Sequence, residues 1–124
     1  MNKIAVITGG AGGIGQAVAE RLARGKQTVF ILDINDEAGA KAAAEFRKRG
    51  IPVAFLCVDV TQESEVQSAF DKIKAEHGQI DVLVNVAGGS MHRHPLDEFP
   101  LADWQAVIDA NLTRRFFVAG LLHQ

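Results

Sequence analysis

Residues 8–15 read TGGAGGIG, with five glycines in eight positions. The stretch follows an apolar, β-branched run at 3–7 and precedes apolar residues at helical spacing. Glycine lets a chain turn tightly and lets a bound anion come close to the backbone. A helix that begins at such a turn presents unpaired N–H groups and the positive end of its dipole. The pattern therefore predicts a strand, a tight turn and a helix, with the turn as a candidate phosphate site.

Short apolar runs alternate with stretches of helical spacing along the rest of the chain. The runs are KIAVI, TVFIL, VAFLCV and IDVLVNVA, at 3–7, 28–32, 53–58 and 80–87. Continuous runs of this kind are typical of strands buried on both faces of a parallel sheet. Predicted helices cover 14–24, 36–49 and 62–77, and a fourth begins near Leu101. The alternation predicts one domain over 1–124, a doubly wound α/β fold with strand order 3-2-1-4.

The helices carry their own start, stop and packing signals. Ile14, Val18 and Leu22 predict the buried stripe of the first helix, and Gly25 predicts a left-handed stop after it. Thr61 predicts the cap of the third helix. The predicted stripe of that helix is Val66, Phe70 and Ile73.

Composition excludes several classes of protein. Thirteen basic against fifteen acidic residues give a net charge of −2, which argues against nucleic acid or an anionic membrane as the main partner. The early apolar run IAVI is too short for a signal peptide, and no run approaches a membrane span. The single cysteine, Cys57, predicts a small buried core residue rather than a reactive thiol. Without an intrachain disulfide, the cytoplasm is the expected compartment.

A second pattern indicates which ligand the glycine turn binds. Gly10, Gly12 and Gly15 fit Gly-x-Gly-x-x-Gly, and Asp33 lies 18 positions beyond Gly15. In dinucleotide-binding folds an acidic residue about 20 positions on holds the adenosine ribose. The spacing therefore favours dinucleotide binding over a turn that is merely tight. For Asp33 the alternative is a turn or helix-capping aspartate.

Four motifs in order resemble one family. They are Thr-Gly-x-x-x-Gly-Ile-Gly at 8–15, Asp-Val at 59–60, NVAG at 85–88 and ANLT at 110–113. The chain resembles a short-chain dehydrogenase/reductase from residue 3 to its end. One departure is Val86, which replaces the usual second Asn of Asn-Asn-Ala-Gly.

The resemblance implies a Rossmann-type fold that binds a nicotinamide cofactor at the carboxyl ends of the strands. It implies a small-molecule alcohol or carbonyl substrate, and it carries over Asn111 as the one member of the catalytic set. The implied cofactor-binding residues are Gly9, Ala11, Gly12, Gly13, Ile14, Gly15, Asp33, Ile34, Asp59, Val60, Asn85, Ala87 and Gly88. Another Rossmann-type enzyme, such as a methyltransferase, is disfavoured by the first and third motifs.

Asp33 also favours NAD over NADP. Its carboxylate can accept hydrogen bonds from both ribose hydroxyls of NAD, and it would repel the 2′-phosphate of NADP. At 4 Å and an effective dielectric constant near 20, that repulsion is about 4 kcal/mol per charge pair. No Arg or Lys stands at the neighbouring positions Ala11, Gly12, Ile34 and Asn35.

Most of the catalytic residues that the resemblance implies are missing from this chain. The resemblance implies a serine at the end of the fifth strand and a Tyr-x-x-x-Lys pair on the helix after it, in which the lysine lowers the tyrosine pKa. The chain contains no tyrosine and ends at Gln124 within the predicted fourth helix. We therefore expect a truncated fold that holds NAD without using it. The alternatives are the amino-terminal part of an oxidoreductase and a non-catalytic NAD-binding module that pairs with another chain.

Two further expectations concern partners and metals. The fourth helix, with its apolar end FFVAGLLHQ, and the edge of the fourth strand predict self-association. His92 and His94 have no acidic or cysteine partner at a defined spacing, so no metal site is predicted.

Overall fold

Four parallel strands form one sheet between two layers of helices. The computed structural model describes residues 3–86 and 101–102. The strands are β1 (Ile4–Thr8), β2 (Thr28–Asp33), β3 (Val53–Cys57) and β4 (Val82–Asn85), and the helices are α1 (Gly13–Arg24), α2 (Asp36–Lys48) and α3 (Glu63–His77). The strand order is β3-β2-β1-β4 and every pairing is parallel, as predicted.

The core lies on both faces of this sheet. Successive side chains of a strand point to opposite faces, so neighbouring residues of β1 enter different layers. Ala5 and Ile7 pack in the layer of α1 and α2, whereas Ile4 and Val6 pack in the layer of α3. Full burial of a side chain as large as Phe70 contributes about 1.5–3 kcal/mol of stability.

Local signals fix the ends of α2 and α3. The Asn35 side chain accepts a hydrogen bond from the Ala38 N–H at 3.0 Å and so caps α2. Gly78, with φ of 85°, ends α3 in the left-handed region that favours glycine. The predicted stripe of α3 is confirmed, because Val66, Phe70 and Ile73 are all buried.

The predicted stripe of α1 is wrong at its first position. Ile14 is 73% exposed, while Gly15 and Ala19 are the buried residues of the helix. The spacing was correct, but the buried face is rotated by one residue. A methyl group on Gly15 would collide with the carbonyl oxygen of Gly9, so α1 begins pressed against the glycine turn. This close approach turns Ile14 outward.

Two predicted helix signals are also wrong. Gly25 has φ of −81° and its N–H still donates to the Arg21 and Leu22 carbonyls; the left-handed residue is Lys26, with φ of 65°. Thr61 does not cap α3, because the helix begins one residue later. Gln62 occupies the cap position without a side-chain hydrogen bond.

The apolar runs predict strands that are buried on both faces. Of the four described strands, only the central pair, β1 and β2, is buried in this way. All residues of β1 and the four inner residues of β2 are buried, but β4 is half-buried throughout and β3 is partly exposed. Among the described residues β3 and β4 are edge strands, so each lacks a neighbour on one side. Cys57 is the last residue of β3 and is exposed, contrary to the predicted core position.

In the part of the chain that the structure describes, no helix combines the length and apolarity needed to cross a membrane. Residues 101–102 are helical, at the predicted start of the fourth helix. The remainder of that predicted helix lies outside the described residues.

Candidate functional site

The carboxyl ends of the strands bring the predicted site residues to one edge of the sheet. Thr8, at the end of β1, is level with Leu32 of β2 and with Asn85 of β4. The chain crosses from one face to the other between β1 and β4, because α1 and α3 lie in opposite layers. In open α/β sheets, ligands bind at such a switch point, beyond the carboxyl ends of the strands.

Three glycines give the turn after β1 its shape. Gly9 has φ of 73°, and its N–H donates to the Leu32 carbonyl at 2.8 Å. A Cβ on Gly10 would collide with the side chain of Ile31, and one on Gly15 would lie 2.6 Å from the Cα of Gly10. At these positions glycine is required by close packing between the turn, β2 and α1.

Gly12 and Gly13 have a different environment. Among residues 3–86 and 101–102, a Cβ on Gly12 would meet no atom closer than 3.9 Å, and one on Gly13 would meet nothing within 4 Å. The structure therefore needs no glycine at Gly13 for packing. With respect to the described residues, the backbone at Gly12 and Gly13 is exposed, so a ligand can reach it there.

The first turn of α1 offers backbone donors to that space. The N–H groups of Gly13, Ile14 and Gly15 make no hydrogen bond to any described residue. Gly12 provides no side-chain cap, and the turn contains no acidic residue, unlike the first turns of α2 and α3. Unpaired donors at the positive end of a helix dipole fit a phosphate group.

Gln16, which the sequence analysis does not single out, holds the turn, and Thr8 links its start to β4. The Gln16 Nε2 donates to the Ala11 carbonyl at 2.7 Å, and the Gln16 N–H donates to the Gly12 carbonyl at 2.9 Å. Thr8 donates through Oγ1 to the Asn85 Oδ1 at 3.1 Å. The position of Thr8 at the end of a buried strand was the available signal for its role.

Asp33 lies beside the turn and is tied to it. Its Oδ2 accepts a hydrogen bond from the Ala11 N–H at 3.1 Å, and its Oδ1 accepts one from the Asn35 N–H at 3.0 Å. The second bond agrees with the alternative prediction for Asp33, that it is a turn aspartate. Each carboxylate oxygen has a further lone pair, so the group can also accept hydrogen bonds from a ligand.

The β3 side of the site contains Ile34, Asp59 and Val60. Ile34 is 64% exposed, and Val60 is partly buried against the α3 layer. The Asp59 Oδ1 accepts a hydrogen bond from the Thr61 N–H at 2.9 Å, so the carboxylate shapes the turn into α3. Three predicted residues, Ala87, Gly88 and Asn111, lie outside the described residues, as do His92 and His94.

The thiol of Cys57, at the carboxyl end of β3, has a shifted pKa. Desolvation, followed by the carboxylates of Asp36, Glu65 and Asp33, raises the pKa of the Cys57 thiol. A thiol of this kind is a poor nucleophile at neutral pH. Within the described residues, no three His, Cys, Asp or Glu side chains lie together in a way that could hold a metal ion.

Comparison with known proteins is consistent with this geometry. Residues 3–123 match the model of the short chain dehydrogenase family. An uncharacterized oxidoreductase of Thermotoga maritima is 40% identical over 111 residues, which cover 90% of this chain and 43% of that protein. A cyclopentanol dehydrogenase of a Comamonas species is 36% identical, over 93% of this chain and 46% of its own length.

Solved structures of similar proteins share the fold. NAD⁺-bound xylitol dehydrogenase has a TM-score of 0.89 at 35% identity, covering 97% of this chain and 46% of that one. The chain spans about half the length of these relatives. The family match over nearly the whole chain, the strand order and the glycine turn agree. The chain belongs to the short-chain dehydrogenase family of oxidoreductases, whose Rossmann-type fold binds NAD(P).

Proposed function

We propose that this chain binds NAD(H) at the glycine turn, as the nucleotide-binding part of an oxidoreductase acting on an alcohol or carbonyl substrate. One observation carries the proposal. The N–H groups of Gly13, Ile14 and Gly15 donate to no acceptor among the described residues, and a Cβ on Gly13 would meet none of those residues within 4 Å. A pyrophosphate accepts hydrogen bonds from such donors and is attracted by the helix dipole.

NAD rather than NADP is supported by the charge at the ribose position. Asp33 lies at the end of β2, fixed by the Ala11 N–H, and no cation stands at Ile34 or Asn35. The 2′-phosphate of NADP would meet this carboxylate at short range. Similar proteins use both cofactors. The xylitol dehydrogenase structure contains NAD⁺, and a gluconate 5-dehydrogenase from Burkholderia cenocepacia, 37% identical with a TM-score of 0.86, contains NADP.

The remaining proposed contacts extend along the edge of the sheet. Ile34, Asp59 and Val60 lie on the side of β2 and β3, where the adenine would be held. On the side of β4, the proposal includes Asn85, Ala87 and Gly88. A cytoplasmic location also belongs to the proposal, and the absence of a second cysteine supports it.

We further propose that this chain alone does not catalyse hydride transfer. A bound nicotinamide would supply or accept the hydride, but the family moves the accompanying proton with a tyrosine. These 124 residues contain no tyrosine, so of the family's catalytic set they carry only Asn111. The same observation supports the second candidate, a non-catalytic NAD-binding module that acts through another chain.

Calorimetric titration of the chain with NADH and with NADPH tests the binding proposal. We expect NADH to bind and NADPH to bind at least tenfold more weakly. Gly13→Ala tests the site, because its methyl group meets none of the described residues, so the fold should be kept while NADH binds at least tenfold more weakly. Equal or tighter binding of NADPH would refute the cofactor assignment. Oxidation of a panel of alcohols with NAD⁺ tests the second proposal, and turnover by the purified chain would overturn it.

A further inference from the structure

The outer edge of β3 carries backbone groups that pair with no described residue. The Val58 N–H donates to the Asp33 carbonyl at 2.9 Å, so the even-numbered residues of this strand direct their N–H and C=O groups toward β2. Val53, Phe55 and Cys57 therefore direct theirs outward. Among the described residues, no strand pairs with this side. The three outward residues are symmetric about Phe55.

A groove runs beside this edge on the α3 face. Its volume is about 340 Å³, and its lining joins the end of β3 to one flank of α3. Along this flank of α3 an acidic residue comes first and a basic residue last. Glu65 lies near the carboxyl end of β3, Ser68 and Ala69 follow, and Lys72 lies two turns further down.

The flank of α2 on the opposite face of the sheet has the same order. Asp36, Ala40, Ala43 and Arg47 recur at spacings of four, three and four residues, which place them on one side of the helix. Arg49, on the other side, forms an ion pair with Glu20 of α1, so the flank with Asp36 and Arg47 is the one over β3.

The position of Asp36 and Glu65 near Cys57, together with the lengths of α2 and β3, indicates how these charges lie along the strand. Asp36 acts electrostatically on Cys57 at the carboxyl end of β3, as does Glu65 from the other face. From Asp36 to Arg47 the helix rises roughly 16 Å. From Val53 to Cys57 the strand extends roughly 13 Å. Each face of the sheet thus presents an acidic group near one end of β3 and a basic group toward the other.

We infer that β3 pairs antiparallel with β3 of a second copy of this chain, about a two-fold axis at Phe55. In this arrangement Phe55 pairs with Phe55 of the copy, and Val53 pairs with Cys57. Asp36 then faces Arg47 of the copy on one side of the joined sheet, and Glu65 faces Lys72 on the other. A parallel arrangement would oppose like charges. Small side chains between the charges, Ala40 and Ala43 or Ser68 and Ala69, let the paired helices approach.

The choice of a second copy follows from this self-complementarity. An extended peptide from another protein could use the same backbone groups. Such a peptide would need to match acidic and basic groups on two faces at once. Antiparallel pairing of identical chains satisfies both matches by symmetry.

Thiol cross-linking tests the register. Val53→Cys places a second thiol opposite the natural Cys57 of the copy, and we expect mild oxidation or a short bis-maleimide to convert most of the chain to a covalent dimer. Ala54→Cys is the matched control, because its side chain lies on the opposite face of the strand. The unmodified chain, with one thiol far from its symmetry mate, should stay uncross-linked. Equal cross-linking of both variants, or none with Val53→Cys, would overturn the inference.

Charge reversal tests the complementarity. The pair Arg47→Glu with Lys72→Glu makes both flanks acidic, and the pair Asp36→Lys with Glu65→Lys makes both basic. Each double variant should dimerise at least tenfold more weakly in sedimentation equilibrium, and a mixture of the two should regain the original affinity. Recovery on mixing also shows that neither variant has merely misfolded. Association that is unchanged in both variants, or that fails to recover on mixing, contradicts the pairing and points to the fourth helix, β4 or a separate partner.

Discussion

The Thr8 hydroxyl donates to the Asn85 Oδ1 at 3.1 Å and joins two strand ends that are 77 residues apart in sequence. Thr8 is 1% exposed, and its carbonyl accepts a further hydrogen bond from the Val86 N–H at 2.9 Å. The glycine turn leaves β1 at this residue, and NVAG begins at the end of β4. The contact therefore fixes the two motifs relative to each other.

Thr8→Val should lower the free energy of unfolding by about 0.5–1.5 kcal/mol, because the shape is kept while the half-buried Asn85 oxygen loses its donor. Urea denaturation followed by circular dichroism measures the change. Thr8→Ser keeps the hydroxyl and should retain most of the stability. If the valine and serine variants unfold at the same urea concentration, the hydrogen bond contributes nothing.

Gly13→Ala and Gly15→Ala should separate a binding role from a packing role. Alanine at Gly13 meets no atom of the residues that the structure describes, and it should leave the protein as stable or up to about 1 kcal/mol more stable. Its methyl group would stand in front of the free N–H groups, so the dissociation constant for NADH should rise at least tenfold. Thermal unfolding and calorimetry on the same samples measure both effects.

Alanine at Gly15 should instead destabilise the fold by about 1–3 kcal/mol, because its methyl group collides with the Gly9 carbonyl. A Gly13→Ala protein that binds NADH normally would contradict the phosphate site. A fully stable Gly15→Ala protein would contradict the packing of α1 against the turn.

Gly39 of α2 is a second position where close packing, here against Phe55 of β3, requires glycine. A Cβ at this position would collide with the ring of Phe55, so Gly39→Ala should destabilise the protein by about 1–3 kcal/mol despite the better helix propensity of alanine. Combining it with Phe55→Leu should recover part of that loss. Additive losses in a double-mutant cycle would show that the ring is not the cause.

The Cys57 thiol should be alkylated more slowly in the native protein than in the urea-unfolded chain at the same pH. Its pKa is raised, so a smaller fraction is thiolate below that pKa, and the midpoint of the native rate profile should lie at higher pH. Asp36→Asn should lower this midpoint, since Asp36 is the largest charged contributor. Iodoacetamide kinetics measure it. Coincident native and unfolded profiles would contradict the assignment.

Asp33→Asn should reduce the preference for NADH over NADPH at least tenfold. The substitution removes the charge that repels a 2′-phosphate and keeps one carbonyl oxygen as acceptor. Calorimetry with both nucleotides measures the ratio. An unchanged ratio would assign the discrimination to another residue.

Strand order and the glycine turn could be predicted because each rests on local pattern. Alternating strands and helices restrict the topology to a few arrangements. Glycines between a strand and a helix are typical of a turn that binds a dinucleotide. The burial of Cys57 could not be predicted in this way. An apolar run indicates a strand, but it does not indicate whether that strand lies at the centre or at the edge of the sheet. The same run lies at an edge in the folded sheet, where one side has no partner.

Ile14 shows a second limit. Apolar spacing gives the period of a helix, but the buried face depends on what the helix packs against. Here Gly15 allows contact with the turn, and this tertiary contact determines the face. Similarly, no local pattern marks Gln16 or the Ala11–Asp33 hydrogen bond, since both depend on how the turn lies against β2.

The Ala11–Asp33 hydrogen bond has a practical consequence for anyone who redesigns nucleotide preference in this scaffold. The carboxylate that would select the sugar also anchors the loop that would hold the phosphates. Replacing it with a small or basic side chain would admit the bulkier nucleotide and untether the loop in the same step. A successful redesign should therefore supply a substitute acceptor for the Ala11 N–H along with any new cation.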